Sequence, residues 1–260
     1  MKRIAITQPT YLPWLGYFEQ MARADCFVFL DTVQFAHQTW QSRNRIRNRE
    51  GKILWLTVPI ASHHLGDPIR DIHIAEQPRN WRRKHLNSVR THLGGTPHLD
   101  SVMDILEGAL NENHDCLVDL NIDLIDRTRQ ALGIQTRLLR ASELQAEGSR
   151  ADLLLNICQE LDCEHFLANV GSRSYLHKEE LRFHQAGITI DYQCWKHPEY
   201  PQRGEGFIVN LSWVDPVCHL GWEREALELP GEADRRQKTE DGRRRPVVRG
   251  SSFYATRLLS

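Results

Sequence analysis

Between residues 4 and 192, short apolar runs alternate with longer stretches of helical period. This alternation restricts the fold more than any other feature of the chain. The runs at 26–30 and 53–58 are apolar on both alternating sides, and further short strand-like runs stand at 4–7, 134–139, 166–168 and 188–192. Such segments suit strands buried on both faces of a parallel sheet. Between them, Leu99, Val102, Met103, Leu106 and Leu110 recur at helical spacing, as do Leu117, Leu120, Leu124, Ile125 and Leu132. Gly133 and Gly187 stand where helices end. The expected fold is α/β, with a mainly parallel sheet covered by helices. Ligands of such folds lie beyond the carboxyl ends of strands. That rule directs attention to the residues after Ile6, Leu30, Val58 and Ala168.

The chain has 260 residues, enough for one α/β domain with a tail. Its 33 basic and 34 acidic residues nearly cancel, which argues against a bulk nucleic-acid coat protein. No apolar stretch approaches the length of a membrane span, and the apolar start at Ile4 is broken at once by Thr7, Gln8 and Pro9, unlike a signal peptide. The six cysteines form no Cys-x-x-Cys pair, so a cytoplasmic protein with reduced thiols is expected. The 13 histidines include no His-Glu-x-x-His, and no metal site is expected. Residues 1–222 read as the folded domain, with a helical region at about 79–132. A basic segment from Arg79 to Arg90 precedes residues 91–126, which hold no Lys or Arg. Two packed helical segments of opposite charge account for this most simply. Residues 223–260 lose apolar periodicity and are expected to form a basic, mobile tail.

Several segments carry residues suited to chemistry. Between the first strand and first helix, Gln8, Tyr11 and Gly16 occupy a proline-set turn whose helix start suits a phosphate or carboxylate. The same turn is also explained by aromatics filling the core. Asp31 ends an apolar run, and Gln34, Trp40, Arg43, Asn44 and Arg45 follow it. Arginines grip carboxylate or phosphate in fork geometry, amides read hydroxyls, and an indole stacks on a sugar or base, so this reads as a binding loop. Asn169, Ser172 and Ser174 lie in another strand–loop–helix transition. Asp215 and His219 stand at i and i+4, a spacing that permits a general-base pair, although Ser212 and Asp215 also read as a capping box. Asp31, Arg43, Asp215 and His219 are the catalytic candidates. The others are candidates for substrate binding.

The run Ile6-Thr7-Gln8-Pro9 through Pro13-Trp14-Leu15-Gly16-Tyr17-Phe18 resembles the opening of the WbqC-like proteins. So do Asp31-x-x-Gln34-Phe35, then Trp40, Arg43-Asn44-Arg45-Ile46 and Trp55-Leu56-Thr57-Val58-Pro59. The 169–175 loop and Asn210-Leu211-Ser212-Trp213-Val214-Asp215 extend the resemblance to about residue 222. It implies a role in bacterial surface-polysaccharide or small-molecule biosynthesis, such as attachment of an aminoacyl group to an amino sugar. A weaker likeness, to pantothenate synthetases and related nucleotidylyltransferases, covers the first strand, the turn, the helix and Gln34-Phe35. Trp14-Leu15-Gly16-Tyr17 stands here where those enzymes carry His-x-Gly-His. Together these imply a three-layer, Rossmann-like or nucleotidylyltransferase-like fold with additional helices. They also imply amide-forming acyl transfer onto a small-molecule amine, with ATP or an activated aminoacyl or acyl donor as the candidate co-reactant. The alternative is a non-catalytic module for a nucleotide-sugar or an aminoacyl-tRNA, with tRNA as partner.

Overall fold

The computed structural model describes residues 2–231. Five strands, β1 (Arg3–Thr7), β2 (Cys26–Phe29), β5 (Arg137–Arg140), β6 (His165–Ala168) and β7 (Thr189–Tyr192), form one sheet in the order β5-β2-β1-β6-β7. Every pairing in it is parallel. Helices α1 (Leu15–Arg23), α2 (Trp81–Leu93), α3 (Leu99–Leu110), α4 (Leu117–Ala131) and α8 (Val214–Leu220) belong to one side. Helices α5 (Arg150–Glu160), α6 (Arg173–Leu176) and α7 (Glu180–Gln185) belong to the other.

The three layers follow directly from the strand sequences. Along β1, Ile4 and Ile6 enter one core while Ala5 enters the other. Along β2, Cys26 and Val28 oppose Phe27 and Phe29, and along β6, Phe166 and Ala168 oppose Leu167. A strand apolar at every position can be accommodated only between two apolar layers. This is the Rossmann-like, three-layer arrangement. The three helices α2–α4 fill the region expected to be helical. The Arg90–Glu107 ion pair joins the basic segment to the acidic one, as their opposite charges suggest.

Four expectations are corrected. Residues 53–58 are not a buried parallel strand. Strand β4 (Ile53–Thr57) pairs antiparallel with β3 (Arg43–Arg47) in a separate two-stranded sheet. Residues 43–46 alternate, with Asn44 and Ile46 buried and Arg43 and Arg45 outward, which is the pattern of a strand with one wet face rather than a loop; Arg47 at its end is buried. The Asn48 side chain accepts from the Lys52 N–H and closes the hairpin, and Gly51 supplies its positive φ. The predicted strand at 134–139 is displaced to 137–140. Finally, packing does not stop at residue 222: Leu227 and Leu229 are buried in the core, and the Arg224 side chain donates to the Leu132 carbonyl. The remainder of the expected tail, from residue 232, lies outside the described residues.

Candidate functional site

Strand order reverses between β1 and β6. The chain runs outward through β2 to β5, then returns to β6 beside β1. In an open parallel sheet this reversal leaves a crevice beyond the strand ends. Two hollows occupy that rim. A crevice of about 210 Å³ at the reversal is lined by Thr7, Trp14, Gly16, Asn169 and Gln193. A larger cleft of about 1070 Å³ lies on the β2–β5 side, where Gln8, Thr32, Gln34, Arg70, Ser142 and Tyr175 contribute to its walls. The segment 169–175 belongs to both hollows, through Asn169 in one and Tyr175 in the other.

The crevice is built on close packing. The indole of Trp14 lies over Gly16, where any Cβ would collide with it. Gln193 donates to the Gly16 carbonyl (2.6 Å) and to the Glu19 carboxylate (2.6 Å), tying the first helix to the end of β7. Asn169 caps its own turn by accepting from the Ser172 N–H (2.9 Å), and the Ser172 hydroxyl donates to the Asn169 carbonyl (2.7 Å). Ser172 is thereby buried, while Ser174 is exposed.

The cleft has a buried carboxylate beneath it. Asp31 is fully buried at the end of β2. One of its oxygens accepts from the Ser142 backbone N–H (2.9 Å) and the other from the Ser142 hydroxyl (2.7 Å). Ser142 lines the cleft, so Asp31 communicates with it through that hydroxyl. Gly148, at positive φ, and Arg150 carry the wall into α5. Ser149 stands at the N-cap of this helix without a side-chain hydrogen bond, and Asp152 in the first turn pairs with Arg182.

The other candidates lie elsewhere. Tyr11 is completely buried, and its hydroxyl bonds His85 Nδ1 at 2.8 Å. Asn44, also buried, donates to the carbonyls of Tyr11 and Leu12 (3.1 and 2.8 Å), holding Leu12 at positive φ. Both therefore shape the turn before α1 from inside and do not line either hollow. Trp40, Arg43 and Arg45 sit on the outer face of the β3–β4 hairpin. Asp215 is fully buried; it accepts from the Arg47 backbone N–H (2.7 Å) and the Tyr200 hydroxyl (2.9 Å). His219 Nδ1 bonds the Asp215 backbone carbonyl at 2.8 Å and stands 3.9 Å from its carboxylate. The expected Asp–His base pair is thus an interior helix contact. Burial raises the Asp215 carboxyl above its ordinary range.

Ser142, Arg70 and Gln193 escaped the sequence reading, and Tyr175 entered it only as the end of the 169–175 loop. The strand-end rule would have found Ser142 had it been applied after the run at 134–139 as well.

His85 yields a pH prediction. Burial lowers its pKa from 6.5 to about 4, with a bond to the Thr57 backbone opposing the shift. Neutral His85 accepts the Tyr11 hydroxyl at Nδ1. The unfolded chain binds a proton near pH 6.5 that the folded chain refuses until about 4, so stability is full above the unfolded value and falls as pH drops. Urea unfolding at about pH 7.5 and 4.5 should differ by ~2.5 kcal/mol from this group. His85→Gln should remove that share of the acid loss; an unchanged pH slope in the variant would assign the loss to other groups.

Among the described residues, no helix is long and apolar enough to cross a membrane. Glu112, His114 and Asp123 lie close enough to hold a metal ion, but Arg127 already pairs with both carboxylates. No solved structure matches the chain. An uncharacterized protein of Mycobacterium tuberculosis, Rv1507c, is 29% identical over 228 residues, covering 86% of this chain and 96% of that protein. The profile of the WbqC-like protein family matches residues 8–226, a span that contains the hairpin and, Thr7 apart, the residues named as lining both hollows. The chain therefore belongs to the WbqC-like protein family.

Proposed function

We propose that this protein is an enzyme of bacterial polysaccharide or specialised small-molecule biosynthesis that forms an amide, transferring an acyl or aminoacyl group onto a small amine such as an amino sugar. The acceptor occupies the large cleft and the activated donor the adjoining crevice. The Asp31–Ser142 pair carries this reading, because it joins a fully buried carboxylate to the cleft through a single hydroxyl. Gln8 and Gln34 present amides suited to acceptor hydroxyls, and Arg70 and Arg150 present positive charge.

The amine must lose a proton as its nitrogen attacks the acyl carbon. The Ser142 oxygen takes that proton and passes its own to Asp31. The N–C bond forms, the bond from the acyl carbon to the donor's leaving group breaks, and the leaving group departs with the electron pair. Proximity of acceptor and donor across the 169–175 segment supplies the orientation. The donor is an acyl group activated beforehand or a carboxylate activated with ATP.

The test is a matrix of amino sugars and small amines against amino acids with ATP, acyl thioesters and aminoacyl-tRNA, read by mass spectrometry. An amide product from one combination is the expected result. Tight binding of a nucleotide-sugar or aminoacyl-tRNA, with no product from any combination, would replace the enzyme with a non-catalytic module.

A further inference from the structure

The outer face of the β3–β4 hairpin is separate from both hollows. Arg43, Arg45 and Trp55 project from it, with Arg45 directly across from Trp55 in the register. Trp40, at the approach to β3, brings its ring centroid within 5.6 Å of that of Trp55. The Arg43 guanidinium lies 4.4 Å from the Trp55 ring centre, and that of Arg45 lies 5.6 Å from the ring of Trp40. Two cations and two indoles thus form one continuous strip. Both indoles are exposed, Trp40 by 46% and Trp55 by 41%, as is Ile53 beside them.

The electrostatics of this strip are unbalanced. Neither arginine is ion-paired among the described residues. Arg45 reaches only the Val209 carbonyl, at 3.5 Å, and its Nε is buried with no hydrogen-bond partner. Elsewhere on the same strand, Arg47 is buried and fully engaged with carbonyls of the 51 and 205–206 segments and with Gln202. The contrast separates a structural arginine from two that are held in place by aromatic stacking and left with free donors.

We propose that this face is a docking platform for a single-stranded polynucleotide, whose bases stack on Trp40 and Trp55 and whose phosphates meet Arg43 and Arg45. A flat ring suits stacking on an indole, and the guanidiniums supply donors only, which match phosphate oxygens. A neutral glycan would also need acceptors, which neither arginine offers. A second copy would bring its own cations to the same face. Residues 242–260, with five arginines and no acid, carry the wrong charge to cover it. The proposal is independent of amide formation, because binding is measured without turnover.

The test uses the full chain with fluorescent ten-nucleotide single-stranded RNA, the same DNA sequence, a duplex of that sequence, and polyphosphate. Single strands should bind more tightly than the duplex or polyphosphate. Trp40→Ala and Trp55→Ala should each weaken single-strand binding about tenfold. The Arg43→Ala/Arg45→Ala double variant should reduce the dependence of log affinity on log salt by about 1.4, the value for two phosphates on a single strand. Circular dichroism of all variants should match the parent. Equal binding of polyphosphate and single strands, with no effect of either tryptophan, would overturn the platform and leave only charge attraction. Absence of single-strand binding would overturn it outright.

Discussion

Replacing Ser142 with Ala is expected to lower the rate of amide formation about 10²-fold, ~2.7 kcal/mol of barrier, with little change in KM. Among the described residues, the Ser142 hydroxyl is the group that links the cleft to the buried Asp31 carboxylate. Asp31→Asn should have a similar effect. Its carbonyl still accepts from the Ser142 N–H, but an amide does not take the hydroxyl proton. Because the two groups act in series, the double variant should lose little more than either single one. Asp31 also anchors the turn after β5, so both variants should lose a further ~1 kcal/mol of stability through the broken hydrogen bond. Steady-state kinetics beside urea unfolding separates the two effects. Full turnover in both folded variants would reduce the pair to a structural clamp.

Asp215→Ala should destabilise the protein by about 3–5 kcal/mol, a large part of the stability of a domain this size. The carboxylate is wholly enclosed and accepts from two donors of different parts of the chain, the Arg47 backbone N–H of β3 and the Tyr200 hydroxyl. It therefore joins α8 to the hairpin and to the segment after β7. Truncation leaves both donors buried and unpartnered and removes the anion between Arg47 and His219. Asp215→Asn keeps one acceptor oxygen and should lose less. In the proposed mechanism Asp215 has no proton to move, so the folded Asn variant should keep its turnover. A selective loss of turnover, with stability intact, would return Asp215 to the reacting groups.

These two aspartates show how far residue type and spacing can be read. Each follows an apolar residue that closes a short apolar run, and by residue type alone both look like candidate acids. Asp31 has a serine between it and the large cleft, whereas Asp215 faces a backbone amide and a phenol. Asn44 and Tyr11 carry the same lesson. Their chemistry suits a ligand, yet Asn44 spends its amide on two carbonyls of the turn that holds Tyr11. Ser142 had no motif to mark it. Its role depends on β5 pairing with β2, which places the two strand ends side by side.

Local periodicity was sufficient for the layered α/β architecture and for the helical region, because burial on two faces or on one stripe is a demand each segment makes on its own side chains. The loop-rim rule was likewise legible for Gln8, Gly16, Gln34 and Asn169, which do line the two hollows. The antiparallel detachment of residues 43–57 as a hairpin and the division of polar residues between cleft wall and interior were settled only by long-range pairing. Whether a donor faces a substrate or a carbonyl is determined by which distant segment lies opposite it, and neighbouring residues carry no record of that choice.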